Sequence, residues 1–206
     1  DRSIRIYNAA EGAFMEHLFG HTARICAIDN LSRERCVSCS EDSSVRLWKI
    51  PEETHLLLSG KHVGPIDCVK MLNETTYVSG SQEGTLALWS ATKRRPVSVV
   101  LNAHSPGHWI ESLTALPNSD LVASGSDDGL IRLWRVDLDR SRLDVDPVAA
   151  LPCVGHVNAL AIAPLSASFI VAGVGQEPRL GRWRVSGEAK NVVQIFRLPN
   201  VQINED

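Results

Sequence analysis

Histidine, serine and carboxylate residues recur at a fixed spacing ahead of tryptophan, and these residue types together can form a hydrolase triad. In such a triad the imidazole removes the serine proton and the acid orients the imidazole. The full sets are His21, Ser38, Asp42 and Trp48, and His104, Ser124, Asp128 and Trp134; a third set, His62, Ser79, Glu83 and Trp89, has the longer glutamate as its acid. One catalytic centre would suffice for an enzyme, whereas this set recurs after 41 and then 45 residues. We therefore predict no catalytic residues and no enzymatic activity.

A metal site is the second chemistry to consider, because Cys36 and Cys39 form a CxxC motif. These residues lie in a predicted strand, where side chains three apart point to opposite faces. No second CxxC follows, and the histidines belong to different repeats, so we expect neither a metal nor a cofactor. The five scattered cysteines indicate reduced thiols in a cytosolic or nuclear protein: Cys26, Cys36, Cys39, Cys68 and Cys153.

The elements that position these residues are short strands, each closed by an aromatic residue. These residues are Tyr7, Trp48, Trp89, Trp134 and Trp183, at successive intervals of 41, 41, 45 and 49 residues. Similar segments precede them: DRSIRIY, EDSSVRLW, QEGTLALW, DDGLIRLW and QEPRLGRW. The interval matches a four-stranded unit of about 40–45 residues.

The sequence resembles the WD-repeat family, which has GH before the first strand, SGS-x-D-G in the second strand and its turn, and Trp in the third. This resemblance implies an all-β fold, a β-propeller with seven blades in the whole protein, of which this chain covers about four and a half. Residues 1–19 would form half a blade and 20–59, 60–102, 103–154 and 155–199 full blades, with a polar tail at 200–206. We expect the outer strands at Phe14–Phe19, His55–Leu58, Val97–Leu101, Val148–Leu151 and Val192–Leu198, and the remaining blades before Asp1.

The same resemblance implies that each set is a structural hydrogen-bond relay. A buried indole N–H needs an acceptor, and in the family the serine hydroxyl accepts from it, bonds the histidine, and the turn acid orients that histidine. The last repeat has His156 and Trp183, but Gly173 stands at the serine position. We therefore expect its relay to be broken or completed by water.

Composition excludes two classes of protein. The net charge of −3 does not indicate a uniformly basic nucleic-acid binder, although it leaves room for a local basic patch. No apolar run reaches the roughly 18–20 residues that would span a bilayer, so we expect no membrane partner. We expect no small-molecule substrate either.

Basic residues cluster in the loops assigned to one face of the propeller. The densest group is Lys93, Arg94 and Arg95, followed by Arg33 with Arg35 and by Arg140 with Arg142. That face, to which Arg184 is also assigned, sums to about +3, whereas the opposite face sums to about −4. A solvated charged loop and a contact for RNA phosphates or an acidic partner both fit these residues.

Trp109 falls outside the repeat spacing, in the long linker of the third complete repeat. It can cap the hydrophobic end of a first strand, or it can serve as an exposed aromatic anchor for a partner. The sequence leaves both interpretations open.

Some stretches go beyond what a WD repeat requires: LWKIPEE (47–53), TKRRPVSV (92–99), residues 108–134, and VAGVGQEPRLGRW (171–183). They are similar to the WD-repeat (55-kilodalton) proteins associated with the U3 small nucleolar RNP. That resemblance implies a ribonucleoprotein subunit of the nucleus and nucleolus that binds the box B/C element of U3 RNA. Its partners would be the kink-turn-binding protein and other proteins of the small-subunit processome, which processes pre-rRNA in ribosome biogenesis. The alternative is a protein-only scaffold such as a substrate receptor of a ubiquitin ligase.

Overall fold

The computed structural model describes residues 1–32, 34–60, 64–144, 146–164, 168–179, 181 and 184–198. Over these ranges the chain forms β-strands joined by turns, without a helix. This part of the chain accordingly has no helix long and apolar enough to cross a membrane.

The strands pair in chain order into antiparallel sheets, as the repeat predicts. The first sheet joins β1 (Ser3–Asn8) to β2 (Ala13–Phe19). The second contains β3 (Ile25–Asp29), β4 (Arg35–Ser40), β5 (Ser44–Lys49) and β6 (Thr54–Ser59). The third contains β7 (Ile66–Asn73), β8 (Thr76–Ser81), β9 (Leu86–Ser90) and β10 (Ser98–Val100).

The last two sheets depart from this simple pattern. The fourth runs β11 (Ser112–Ala115), β12 (Leu121–Gly125), β13 (Leu130–Asp137), β15 (Ala149–Pro152), with β14 (Arg142–Leu143) pairing to the end of β13. The fifth contains β16 (His156–Ile162), β17 (Phe169–Gly175) and β18 (Val192–Arg197). Strands therefore occupy the outer positions expected in the second, third and fourth sheets.

The hydrophobic core lies between neighbouring sheets. Leu86 and Leu88 of the third sheet pack in one cluster with Leu113 and Trp134 of the fourth. Complete burial of such a side chain contributes about 1.5–3 kcal/mol. Because the second, third and fourth sheets each pack on a sheet at either side, the loops at their strand ends are held on a rigid frame.

The turn between the second and third strands of a sheet has one recurring conformation. The residue after the turn acid has a positive φ in three sheets: 62° at Ser43, 70° at Gly84 and 86° at Gly129. Glycine enters this region without a steric penalty, whereas a side chain is disfavoured there. The turn thus fixes the backbone beside each acid.

The expectation that Val192–Leu198 forms a fourth, outer strand next to the Trp183 segment is wrong. In the structure β18 pairs directly with β17, so that Gly173 lies opposite Val193. Residues 176–191 connect these two strands, a much longer connection than the turns of the preceding sheets. Trp183 itself lies outside the described residues.

Strand register identifies the residue that takes the tryptophan position in the fifth sheet. In the fourth sheet Trp134 lies opposite Val122, two residues before Ser124. In the fifth, Ile195 lies opposite Val171, two residues before Gly173. Ile195 therefore occupies the same register position as Trp134. The spacing of aromatic residues assigns this position to Trp183 instead, because it takes no account of the long connection between β17 and β18.

Candidate macromolecule-binding site

Two hydrogen-bond relays are complete. In the second sheet the Trp48 indole donates to Ser38 Oγ at 2.8 Å, and Ser38 Oγ lies 2.8 Å from His21 Nε2. His21 Nδ1 lies 2.9 Å from Asp42. The fourth sheet repeats this chain through Trp134, Ser124, His104 and Asp128, at 2.8, 2.8 and 3.0 Å.

Electrostatics favour neutral histidines in these relays. Burial lowers the pKa of His104, and its hydrogen bond to Asp128 offsets this only in part. Burial alone would raise the pKa of Asp128, but bonds from His104, Arg132 and the Ser105 amide together hold it well below its usual range. A neutral imidazole donates to the carboxylate and accepts from the serine hydroxyl, which in turn accepts from the indole. Each serine is fully buried and has both hydrogen-bonding roles occupied, so it is not an available nucleophile.

The third relay is visible in part. The Trp89 indole donates to Ser79 Oγ at 2.8 Å. Glu83 is exposed in the following turn, and His62 lies outside the described residues.

His156, for which a broken or water-completed relay is expected, bonds a carboxylate, and Trp183 lies outside the described residues. His156 Nδ1 lies 2.6 Å from Glu111 Oε1, and both residues are buried. His156 begins β16 and Glu111 directly precedes β11, so the pair joins the innermost strands of two sheets. His21 and His104, by contrast, precede the first strands of their sheets by several residues. The sequence spacing missed this difference.

The cysteines are arranged as core residues. Cys36 and Cys39 are buried in β4, and burial raises the pKa of the Cys36 thiol to about 11. Such thiols stay protonated at neutral pH and are poor metal ligands. In the described part of the chain, no three His, Cys, Asp or Glu side chains are grouped to hold a metal ion.

The connection between β17 and β18 reaches back over the two preceding sheets. We call its described residues, 176–179, 181 and 184–191, the cap loop. Its base is closed because the backbone N–H of Gln176 donates to Asn191 Oδ1 at 3.0 Å. Farther along, Arg179 donates to the Asp67 carbonyl at 3.2 Å, across 112 residues of sequence. Sequence reasoning did not foresee this loop as a bridge.

Trp109 lies half-buried where the cap loop meets the fourth sheet. The Arg184 guanidinium lies 6.0 Å from its ring centroid, bonds Asp127 at 3.3 Å and donates to the Gly107 carbonyl at 3.1 Å. His108 Nδ1 also lies 2.8 Å from Asp127. Trp109 is thus one wall of a polar cluster, and its role as a partner contact stays a prediction.

These contacts correct the face assigned to Arg184. Asp127 belongs to the turn between β12 and β13, on the acidic face, so Arg184 belongs there too. Moving one positive charge changes the acidic face from about −4 to −3 and the basic face from about +3 to +2. The faces still differ in sign.

Four of the basic residues lie on neighbouring loops of the third and fourth sheets. Lys93, Arg94, Arg95 and Arg142 are exposed, and none of them forms an ion pair within the described ranges. Val97, just after the loop, packs in one cluster with Leu143, whose amide donates to Ser98 Oγ at 3.2 Å. We call these four basic residues the basic ridge.

The other predicted basic residues differ from the ridge. Arg140 lies at the tip of the same hairpin as Arg142 and is 3.6 Å from Asp137, with its side chain 83% exposed. Arg35 is half-buried at the start of β4, opposite Lys49, and is therefore a weaker contact candidate. Arg33 lies outside the described residues.

Comparison with known proteins agrees with the repeat and the strand order. The family model "WD domain, G-beta repeat" matches residues 12–49 and 95–135. A U3 snoRNP-associated protein-like protein of Arabidopsis thaliana is 39% identical over 212 residues, covering 96% of this chain and 43% of that protein. The U3 small nucleolar RNA-interacting protein 2 of Homo sapiens is 44% identical over 159 residues, covering 73% and 33%.

A solved structure of U3-55K superposes with a TM-score of 0.90 at 44% identity, covering 96% of this chain and 62% of that one. The chain spans less than half the length of the curated relatives it matches. Its repeats, its all-β sheets and these matches have one explanation: the chain is a member of the WD-repeat family, with a β-propeller fold, and it is similar over most of its length to U3 snoRNP-associated WD-repeat proteins.

Proposed function

We propose that this protein is a non-catalytic WD-repeat subunit of the U3 small nucleolar RNP that acts in pre-rRNA processing. The observation that carries the proposal is the match to U3-55K, which extends over 96% of the chain at 44% identity. The match extends well beyond residues 12–49 and 95–135, the segments that the generic WD-repeat model matches. We further propose that the protein works in the nucleolus, on box B/C of U3 RNA, beside the kink-turn-binding protein.

A binding role rather than a catalytic one follows from the use of the polar residues. The two fully visible His–Ser–Asp sets are occupied by tryptophan indoles at 2.8 Å. They lie inside sheets and not in a substrate-sized cleft. Their chemistry holds the blades rigid, and rigid blades present loops to macromolecular partners.

We propose the basic ridge as the RNA contact. Four exposed cations without acidic partners attract a phosphate backbone, whereas paired cations such as Arg140 are already partly neutralised. The ridge residues lie on loops held by packing of Val97 against Leu143. They are therefore positioned before RNA arrives.

The function is tested by purifying the tagged full-length protein and measuring the RNA that remains after washing at high salt. We expect U3 RNA to be retained and enriched over other small nucleolar RNAs. Recovery of a cullin-type ubiquitin ligase without U3 RNA would refute the proposal and favour the protein-only scaffold.

The contact surface is tested separately with Lys93→Gln, Arg94→Gln and Arg95→Gln combined. Each phosphate contact contributes about 0.7–0.9 to the slope of log affinity against log salt, so loss of three should flatten the slope by about 2–3. The control carries Arg2→Gln, Arg5→Gln and Lys190→Gln, the same change of charge at exposed positions elsewhere. Equal salt slopes for the two triple variants would remove the ridge from the proposal and leave the U3 assignment in place.

A further inference from the structure

Glu111 carries a carboxylate oxygen that is buried and has no hydrogen-bond partner among the described residues. The residue is only 7% exposed. Its Oε1 bonds His156 at 2.6 Å, while its Oε2 has no partner. A buried charged acceptor in this state is unfavourable, and a donor placed beside it would restore the lost hydrogen bond.

A small cavity lies against this carboxylate on the acidic face. Its volume is about 30 Å³. It is lined by Trp109, Glu111, Asp127, His156, Pro178 and Arg184. We call it the acidic slot. The volume matches the space of one water molecule, and an ammonium group is of similar size.

The electrostatic potential in the acidic slot favours a cation over a neutral donor. Burial raises the pKa of Glu111, the hydrogen bond and the charge of His156 lower it, and repulsion from Asp127 and Asp67 raises it further. The lining of the slot carries two carboxylates, of Glu111 and Asp127, against one guanidinium, that of Arg184, which already bonds Asp127. A charged donor forms stronger hydrogen bonds to a carboxylate than a neutral one does.

The walls of the acidic slot suit a long side chain with a charged end. Trp109 and Pro178 provide apolar surface at its edge, and Glu111 and Asp127 provide carboxylates. Lysine combines four methylene groups with a terminal ammonium, and it commonly lays its stem along apolar surface while its charge reaches a polar site. A guanidinium is planar and larger than the cavity allows.

We propose that the acidic slot receives the lysine ammonium of a protein partner that lies on the acidic face. The ammonium donates to Glu111 Oε2, and the lysine stem lies along Trp109 and Pro178. This site is separate from the basic ridge and does not depend on the proposed RNA contact.

The test uses full-length protein with ¹⁵N-labelled tryptophan indoles and Nα-acetyl-lysine methylamide as the probe. We expect a saturable shift of the Trp109 indole resonance and no shift of Trp134, which is buried in its relay. The matching norleucine amide, which lacks the ammonium, should leave Trp109 unchanged. No saturable shift, or the same shift with norleucine, would mean that the slot holds only water or binds any apolar chain, and either result overturns the proposal.

Glu111→Gln keeps the shape of the side chain and removes its charge, and we expect binding to weaken by about thirtyfold or more. Glu41→Gln is the matched control, because Glu41 lies on the same face in a surface ion pair with Arg24. If the first variant perturbs folding, as reported by the Trp134 indole, Asp127→Asn keeps Glu111 and should weaken binding severalfold. Unchanged affinity in either well-folded variant would refute the assignment of the carboxylates.

Discussion

The relay in the fourth sheet predicts a large stability difference between two substitutions at equivalent positions. Ser124 is fully buried, accepts from the Trp134 indole and bonds His104 Nε2, both at 2.8 Å. Ser124→Ala leaves both partners buried without this bond, and each such group costs about 1–3 kcal/mol. Because Asp128 still holds the other imidazole nitrogen, we expect a total loss of about 2–4 kcal/mol.

The matched substitution is Gly173→Ala, at the same register position of the fifth sheet. A Cβ there would lie 3.6 Å from the Ala159 Cβ, an ordinary contact, and Ile195 stands at the register position of the relay tryptophan. A glycine inside a strand is itself unfavourable by about 0.5–1 kcal/mol, so this change should be neutral or slightly stabilising.

Urea denaturation of the full-length protein, followed by tryptophan fluorescence, measures both changes in the free energy of unfolding. The slope with denaturant should stay constant while the midpoint falls for Ser124→Ala alone. If Ser124→Ala costs less than about 1 kcal/mol, or no more than Gly173→Ala, the relay contributes little and the argument fails.

Three further predictions concern pH, the turns and the cap loop. Since the pKa of His104 is lowered in the folded state, unfolded chains bind more protons below pH 6.5, and the free energy of unfolding should fall as pH drops below that value. Urea midpoints that stay constant from pH 8 to 5 would contradict this prediction for His104. The lowered pKa of Asp128 adds a second loss of stability below about pH 3.8. Gly129→Ala should cost about 1–2 kcal/mol through backbone strain alone, because φ is 86° and nothing lies within 4 Å of the added Cβ; thermal unfolding checks it. Arg184→Ala should speed amide exchange of Ser186 in the cap loop without changing Leu133 in β13, and equal exchange at Ser186 would show that Arg184 does not anchor the loop.

Relay residues in the second and fourth sheets could be identified from sequence because their spacing is set within a single sheet. The indole, the serine and the turn acid are joined by tight turns of constant length, so a count along the chain is also a count along the strands. Trp134 and Ser124, ten residues apart, illustrate this. The fold class follows from the same regularity.

The fifth sheet could not be predicted in this way, because the connection after Gly175 differs in length. Trp183 lies at a plausible interval from Trp134, yet the strand that pairs with β17 contains Ile195 instead. The contacts of Arg179 and Arg184 were equally hidden, since they join residues 112 and 57 positions apart. Such contacts depend on how sheets are arranged around one another, which local spacing does not record.

The two proposed binding sites lie at opposite ends of one strand, and this placement predicts that they act independently. β13 begins beside Asp127 and Asp128, at the acidic slot, and ends at Asp137, in the hairpin that carries Arg142. Its eight residues span about 23 Å at roughly 3.3 Å per residue. The Debye length at physiological ionic strength is about 8 Å, so charges at one site are almost fully screened from the other.

Independent sites make the effects of their variants additive. Neutralising the basic ridge should therefore change the affinity of the acidic slot for the lysine amide by no more than about twofold. Likewise, Glu111→Gln should leave the salt slope of U3 RNA binding unchanged. Both measurements can be made on full-length protein that carries either variant alone or the two combined. A deviation from additivity larger than about 0.5 kcal/mol would show that the strand and its packed neighbours transmit a change between the faces. Additivity would instead mean that an RNA on the ridge and a basic protein at the slot can be bound at once, which is what a subunit that joins RNA to protein within one particle requires.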